Sequence, residues 1–286
     1  MTSEQLKTFL LIAEGRSFSS VAKFLFITQS SVSKRIRELE KEIGQPLFRR
    51  DRSGVYLTNA GKLMKRYAEQ IMNLEKNALE QLHRTNPYAY HLTIGSVYAY
   101  YEIYLSAKIK LFSELFPNCS ITVRFGHTSQ LLNNLMKASI DIAFTHRPID
   151  YSDYICRNVG HDDIVLVADS QNNNDINEIA YGDIKELPII DTNFLYAPTR
   201  IKLFQLPHQS QITVDIASSA IPLLKGSNFF ALLPFNLVRG QLKSGAFREI
   251  KITGERIPPV NHYMIYSKSL EVEPGVHEFI TTLFKE

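Results

Sequence analysis

Between Thr28 and Arg37 the chain reads Thr28-Gln29-Ser30-Ser31-Val32-Ser33-Lys34-Arg35-Ile36-Arg37, a run whose polar members suit the edges of nucleic-acid bases. Val32, Ile36, Leu39 and Ile43 recur at the spacing of one helix face. With those four turned inward, Ser30, Lys34, Arg37 and Lys41 point directly away, and Gln29 and Ser33 flank them near the helix start. Gln pairs bidentately with adenine, Arg or Lys meets the acceptors of guanine, and Ser serves either. A little further on, Arg49, Arg50 and Arg52 gather beside Ser53-Gly54. Guanidinium groups on a tight turn suit phosphates or a minor groove. The competing readings are a solvated amphipathic helix, and pairing of one arginine with Asp51 or Glu42.

Those side chains need a frame. Ser3 is placed to cap a first helix with Leu6, Phe9, Leu10 and Ala13 inward, ended by Gly15. Ser17 caps a second, with Val21, Ala22 and Leu25 inward. Thr28 caps the third, and Gly44 stops it. Three helices with a tight link between the second and third make a helix-turn-helix. Residues 47–57 predict two short strands around Ser53-Gly54, a wing. Thr58 then caps a helix running to about Arg84, roughly 40 Å long. Met64, Tyr67, Ile71, Leu74 and Ala78 alternate spacings of three and four along it, the seam of a pairing helix. Thr85-Asn86-Pro87-Tyr88 reads as a hinge.

Charge agrees with this division. Residues 1–66 hold 13 Lys or Arg against 6 Asp or Glu, whereas the other 220 hold 19 against 23. A basic head on a slightly acidic body suggests a nucleic-acid module joined to something else. The chain has 286 residues, is 44% hydrophobic and 21% charged, and so has the makeup of a multidomain globular protein. Its apolar runs fall short of the roughly 18 residues of a membrane span. Met1–Gln5 shows no secretory pattern, and two cysteines fit a reducing compartment, so a cytoplasmic protein is expected.

Beyond His91 short β-rich runs alternate with helical ones: 92–97, 101–116, 120–125, 129–138 and 140–145. That order predicts a parallel sheet. Further units at 163–168, 187–191, 198–206, 211–215, 218–225 and 229–234, and a helical tail at 274–284, predict a second α/β lobe. The polar stretch Gln171–Asp175 reads as a loop. The chain is expected to cross between lobes near 161–165 and to return near 262–267. Strand-end loops of such sheets hold ligands. They carry Ser96, Val97 and Tyr98, then Thr128 and Ser129 after Gly126, then Thr145 and His146. Hydroxyls and free amides at helix starts suit a small anion. Plain capping is the alternative for Ser96, Thr128 and Ser129, and core packing the alternative for Tyr98, Tyr100 and Tyr101. The eight histidines lack the paired spacing of a metal site, and the motifs of α/β-hydrolases, dinucleotide-binding folds and P-loops are missing. Neither an enzyme, a metal nor a cofactor is therefore expected.

Leu6-x-x-Phe9, Ala13-Glu14, Ser17-Phe18-Ser19, Ala22, Leu25, Thr28 to Ser33, Ile36-Arg37-x-Leu39-Glu40, Gly44, Leu47-Phe48-x-Arg50 and Leu57-Thr58-x-Ala60-Gly61 together resemble the LysR-type transcriptional regulators. Val21 departs from the family's usual Ala. Leu92–Ser96 and Gly226–Pro234 resemble strands of the family's second part more loosely. The resemblance implies an α/β chain in three parts. These are a winged helix-turn-helix at 1–57, a dimerising linker helix at 58–86, and an effector domain at 91–286 resembling two-lobed periplasmic solute-binding proteins. Lobe I would hold about 91–161 and 265–286, lobe II about 162–264. It implies double-stranded DNA with an inverted-repeat operator, a small-molecule effector, a homodimer or homotetramer, and RNA polymerase as partner of an activator. Two other readings stand beside it: a small-molecule receptor without transcriptional control, and a redox-responsive regulator using Cys119 and Cys156.

Overall fold

The computed structural model describes the chain except residues 52–53, 84–87, 174, 193–194, 196, 205–209 and 285–286. The predicted hinge at 85–87 and Arg52 lie outside the described residues, as does part of the Gln171–Asp175 loop. Two compact units form, 1–89 with 132–140, and 90–131 with 141–286.

In the first unit, helices α1 (Ser3–Ala13), α2 (Phe18–Phe24) and α3 (Gln29–Ile43) enclose a core of Leu6, Phe9, Val21, Val32, Ile36 and Leu39. The cap of α1 is Thr2, not Ser3. Thr2 and Gln5 form a reciprocal capping box, which a serine already inside the helix cannot make. Ser17 and Thr28 cap as expected, accepting from the amides of Ser20 and Ser31. Phe26 takes a left-handed φ of 55° in the tight turn between α2 and α3. Ile43, expected inward, is exposed at the last position of α3.

Strands β1 (Phe48–Asp51) and β2 (Gly54–Leu57) pair antiparallel as the wing. Helix α4 (Asn59–His83) follows, and Thr58 accepts from the Gly61 amide at 2.9 Å. Gly61 is there for space: a Cβ on it would lie 2.1 Å from the Leu47 carbonyl oxygen. One side of α4 closes the core through Met64, Ala68 and Met72. Met64, expected in the seam, is half-buried against this core. Leu63, Tyr67, Ile71, Leu74 and Ala78 form the exposed stripe instead.

Among the described residues the second unit holds three sheets: two larger ones and a short parallel pair of β9 (Ile190–Asp191) with β10 (Ile212–Thr213). The first, ordered β4-β3-β5-β13-β6, joins Cys119–Phe125, Tyr90–Ser96, Ile142–Thr145, Val260–Ser267 and Tyr154–Asp162. Strands β3, β4 and β5 run parallel, as the alternation predicts. Strand β13 adds antiparallel to β5, and β6 adds antiparallel to β13 as the outer edge, an extension that the sequence reading did not resolve. A helical stretch at 98–115, containing a π-helical turn at Tyr101–Leu105, connects β3 to β4.

The second sheet is ordered β11-β7-β12-β8, with β7 (Ile164–Asp169), β8 (Glu178–Ala180), β11 (Phe230–Pro234) and β12 (Phe247–Thr253). Strand β7 is buried along its whole length because both its faces are covered: Ile164, Leu166 and Ala168 enter one cluster, Val165 and Val167 another. The chain crosses between sheets at Asp163, inside the expected window. It returns at 254–259, earlier than the expected 262–267, because β13 pairs with β6 from Val260 onward. Pro258-Pro259 sets that point, since proline has no N–H to give a ladder. Lobe II therefore ends near 259, not 264.

Candidate functional site

The α3 surface has the predicted layout. Gln29, Ser30, Lys34 and Arg37 are exposed and Ser33 is half-buried. Thr28 organises the first turn, its Oγ1 2.8 Å from the hydroxyls of Ser30 and Ser31. Arg37 donates from Nε to the Ser33 carbonyl at 3.3 Å, and Lys34 lies 3.8 Å from Glu38. Arg35 faces the other way, pairing with Glu4 and donating to Thr8 Oγ1. On the wing, the Arg49 guanidinium stands 5.7 Å from the centre of the Tyr56 ring. Arg50 lies in β1 opposite Val55. Glu40, an acid on this helix, is taken up structurally, accepting from the amides of Leu47 and Phe48. The surface thus keeps its cations outward while its acids are partly engaged.

In the second unit a cavity of about 860 Å³ opens between the two larger sheets. Of the expected effector residues, Val97, Tyr98, Thr128, Ser129 and His146 line it. Ser96 and Thr145 do not. Ser96 is buried with Oγ donating to the Val97 carbonyl at 3.0 Å, and Thr145 Oγ1 donates to the Arg147 carbonyl at 2.8 Å. Both hydroxyls are thus spent on nearby backbone carbonyls. Tyr98 packs on Phe125, and Tyr100 is buried in a stack on Phe144. The sequence reading missed the opposite wall, made by Thr199, Asp215 and Ile216 with the Pro258–Asn261 return. No local pattern marks those residues; the lobe entered at the first crossing supplies Thr199, Asp215 and Ile216, and the return supplies Pro258–Asn261.

Beneath the cavity lies a buried polar cluster. Asp162 Oδ2 is 2.9 Å from His262 Nε2, and its Oδ1 accepts from Tyr104 at 2.8 Å and Asn236 at 2.6 Å. Burial would raise the Asp162 carboxyl, but the donations from His262, Asn236 and Tyr104 outweigh it and hold the group below its ordinary value. Burial also pushes the Tyr104 hydroxyl up to about 12, with the bond to Asp162 adding to the shift. His146 sits 3.3 Å from His262, Nδ1 to Nδ1. Burial first, and then the neighbouring His262, bring His146 down to about 4, against smaller opposing effects from the Asn261 backbone and Asp162.

The cysteines do not form a pair. Cys119 is on β4 and Cys156 on β6, opposite edges of a five-stranded sheet. Four strand spacings are about 19 Å, far beyond the reach of a disulfide within one chain. Burial, and next Asp141, push the Cys119 thiol up, away from reactivity.

Residues 3–62 match the bacterial regulatory helix-turn-helix protein model of the lysR family, and residues 86–286 match the LysR substrate binding domain. The chain belongs to the LysR family. A LysR-family relative, the HTH-type transcriptional regulator HdfR of Yersinia pestis, is 32% identical over 165 residues, 56% of this chain and 55% of that protein. The same holds for HdfR of Yersinia pseudotuberculosis. The match thus spans about half the length of these curated relatives. Among solved structures, full-length LysG from Corynebacterium glutamicum with bound effector Arg aligns with a TM-score of 0.64 at 19% identity, covering 99% of this chain and 96% of that one. The Vibrio cholerae virulence activator AphB aligns at 0.59 and 17%, covering 100% and 99%. CbnR complexed with its target DNA aligns at 0.51 and 19%, covering 99% and 98%. At these identities the likeness shows the LysR fold.

Proposed function

We propose that the chain is a bacterial transcription factor that binds double-stranded DNA at an inverted repeat and is controlled by a small anionic effector. The exposed row Gln29, Ser30, Lys34 and Arg37 on a capped helix is the observation that carries the DNA reading. Such a helix enters the major groove with its N-terminal part. Arg49, Arg50 and Arg52 on the wing supply phosphate or minor-groove contacts. CbnR with its target DNA supports the assignment by fold. The cavity of the second unit is the effector site, with Val97, Tyr98, Thr128, Ser129 and His146 as its first wall; LysG with its bound effector supports this by fold. The functional boundaries are 1–57 for DNA, 58–86 for pairing and 91–286 for the effector. The protein works in the cytoplasm as a homodimer or homotetramer, with RNA polymerase as a further partner where it activates. Among the described residues no helix is long and apolar enough to cross a membrane.

A mobility-shift titration with duplex DNA from upstream of the protein's own gene tests this. Binding is expected to weaken steeply with salt, because each neutralised phosphate releases counterions. A flat salt dependence, or full binding after deletion of residues 1–57, would count against the DNA reading. A thermal-shift screen of small metabolic acids tests the cavity, and stabilisation that Tyr98→Ala removes is the expected result.

A further inference from the structure

The charged side chains that line the cavity are divided between its walls. His127 follows β4, and His146 and Arg147 follow β5, so the groups able to carry positive charge stand on the side of the first sheet. Asp215 stands on the opposite wall, just beyond β10, and is the one acid among the described lining residues.

The fold gives Asp215 no structural task. An aspartate just ahead of a helical turn ordinarily caps it by accepting from a first-turn amide. Here the short 3₁₀ turn Ala217–Ser219 begins after Ile216 and has no side-chain cap. Among the described residues no hydrogen bond or ion pair engages the Asp215 carboxylate. Arg200, beside the lining Thr199, pairs instead with the buried Asp191. The segment itself is anchored on both sides of Asp215. The Val214 amide donates to the Asp191 carbonyl at 2.8 Å, and Ala217 is buried. An exposed carboxylate is thus held on a concave wall, facing the cations across the cavity.

Opposite charges on facing walls set a field across the space between them. A ligand with a single charge satisfies one wall and is repelled by the other, whereas a ligand with opposite charges at its two ends meets both. We propose that Asp215 is a specificity-determining residue that selects an ω-amino carboxylate, with the ligand's ammonium group at Asp215 and its carboxylate toward the opposite wall. The inference rests on reading the cavity as the effector site, and it narrows the anionic effector to one that also carries an ammonium group. The ammonium donates to the Asp215 carboxylate in a charge-assisted bond. A hydroxyl in its place loses the charge, and a second carboxylate is repelled, so selection works by attraction and repulsion together. Because its ends rest on different walls, such a ligand binds more tightly when the walls stand at its own length apart, and a switch needs that differential affinity.

The probes are ω-amino acids from β-alanine to aminohexanoate, each compared with the hydroxy acid and the dicarboxylic acid of the same carbon skeleton. Full-length protein is titrated with them by calorimetry at low ionic strength. At least one ω-amino acid is expected to bind at least about threefold more tightly than its hydroxy counterpart, as one ion pair at an open site allows. In Asp215→Asn that preference should vanish while the hydroxy acid binds as before. In Asp215→Lys the dicarboxylic acid should become the preferred member. Both ligand-free variants should keep the wild-type melting midpoint, and a marked drop would show the carboxylate to be structural and overturn the assignment. An amine preference that survives Asp215→Asn, or a wild type that prefers hydroxy acids, overturns the assignment and leaves the cavity reading standing. If no member of the panel binds, the assignment is overturned, and the effector reading is decided by the metabolite screen with Tyr98→Ala.

Discussion

Two kinds of residue carry the proposed regulator, and they answer to different measurements. Gln29 is exposed at the first turn of α3, free of the ion pairing that engages Lys34. Gln29→Ala should alter base preference by about 1–3 kcal/mol at one position of the operator. Arg49 is exposed on the wing, and Arg49→Ala should weaken binding to all sequences and lower the salt slope by about one. Anisotropy titrations on matched and mutated duplexes at several salt concentrations separate the two outcomes. His146 makes a prediction about stability. Its folded pKa of about 4 is below the usual 6.5, so the unfolded chain binds the extra proton first. The stabilisation is complete above about pH 6.5 and is lost as pH falls toward 4, about 3 kcal/mol in all. Asp162, held below its ordinary value, adds a loss only at still lower pH. Urea unfolding across that range should show the loss in the wild type and a shallower one in His146→Gln.

At the scale of elements, the junction between wing and α4 is the tightest joint in the first unit. Leu47 is fully buried, its carbonyl accepts from the Thr58 amide at 3.0 Å, and Gly61 passes directly over it. The carbonyl has nowhere to retreat. Gly61→Ala should therefore destabilise this unit by about 1–3 kcal/mol or more, the range of overpacked sites. A drop in the thermal midpoint with wild-type base preference at low temperature is the expected signature; an unchanged midpoint would refute the close contact. In the second unit, the covered faces of β7 and the return at Pro258-Pro259 set where the cavity lies. Strand β6, whose burial pattern is irregular, extends the first sheet to the crossing and delivers Asp162 to its last position.

For the whole molecule, the exposed stripe Leu63, Tyr67, Ile71, Leu74 and Ala78 has no cover within the described chain. A second copy of α4 is the proposed cover, giving two recognition helices for the two halves of an inverted repeat. Ile71→Asp with Leu74→Asp should yield monomers at micromolar concentration by sedimentation and abolish operator binding, while Met64→Asp should unfold the DNA-binding core instead. A dimer that survives the double change would reject this face. Effector control then needs a coupling free energy: a tenfold change in operator affinity corresponds to about 1.4 kcal/mol, and DNA must alter effector affinity by the same factor.

Local rules made the first unit legible in the sequence. Caps at Ser17 and Thr28, the stripe Val32, Ile36 and Leu39, the two wing strands and the stop at Gly44 depend on residues a few positions apart, so spacing alone reveals them. The parallel order of β3, β4 and β5 was legible for the same reason, since each strand and helix announces its own period. Tertiary structure decided the rest. Only packing against the first unit's core told Met64 from Leu63, because a helix with two apolar faces has no label for which is inside. Only the two crossings of the chain together brought Asp215 and Asn261 opposite Thr128, and only the pairing of β13 with β5 and β6 set His262 between His146 and Asp162. Those contacts join residues about 100 positions apart, where a sequence has no period to read and long-range packing alone determines the neighbour.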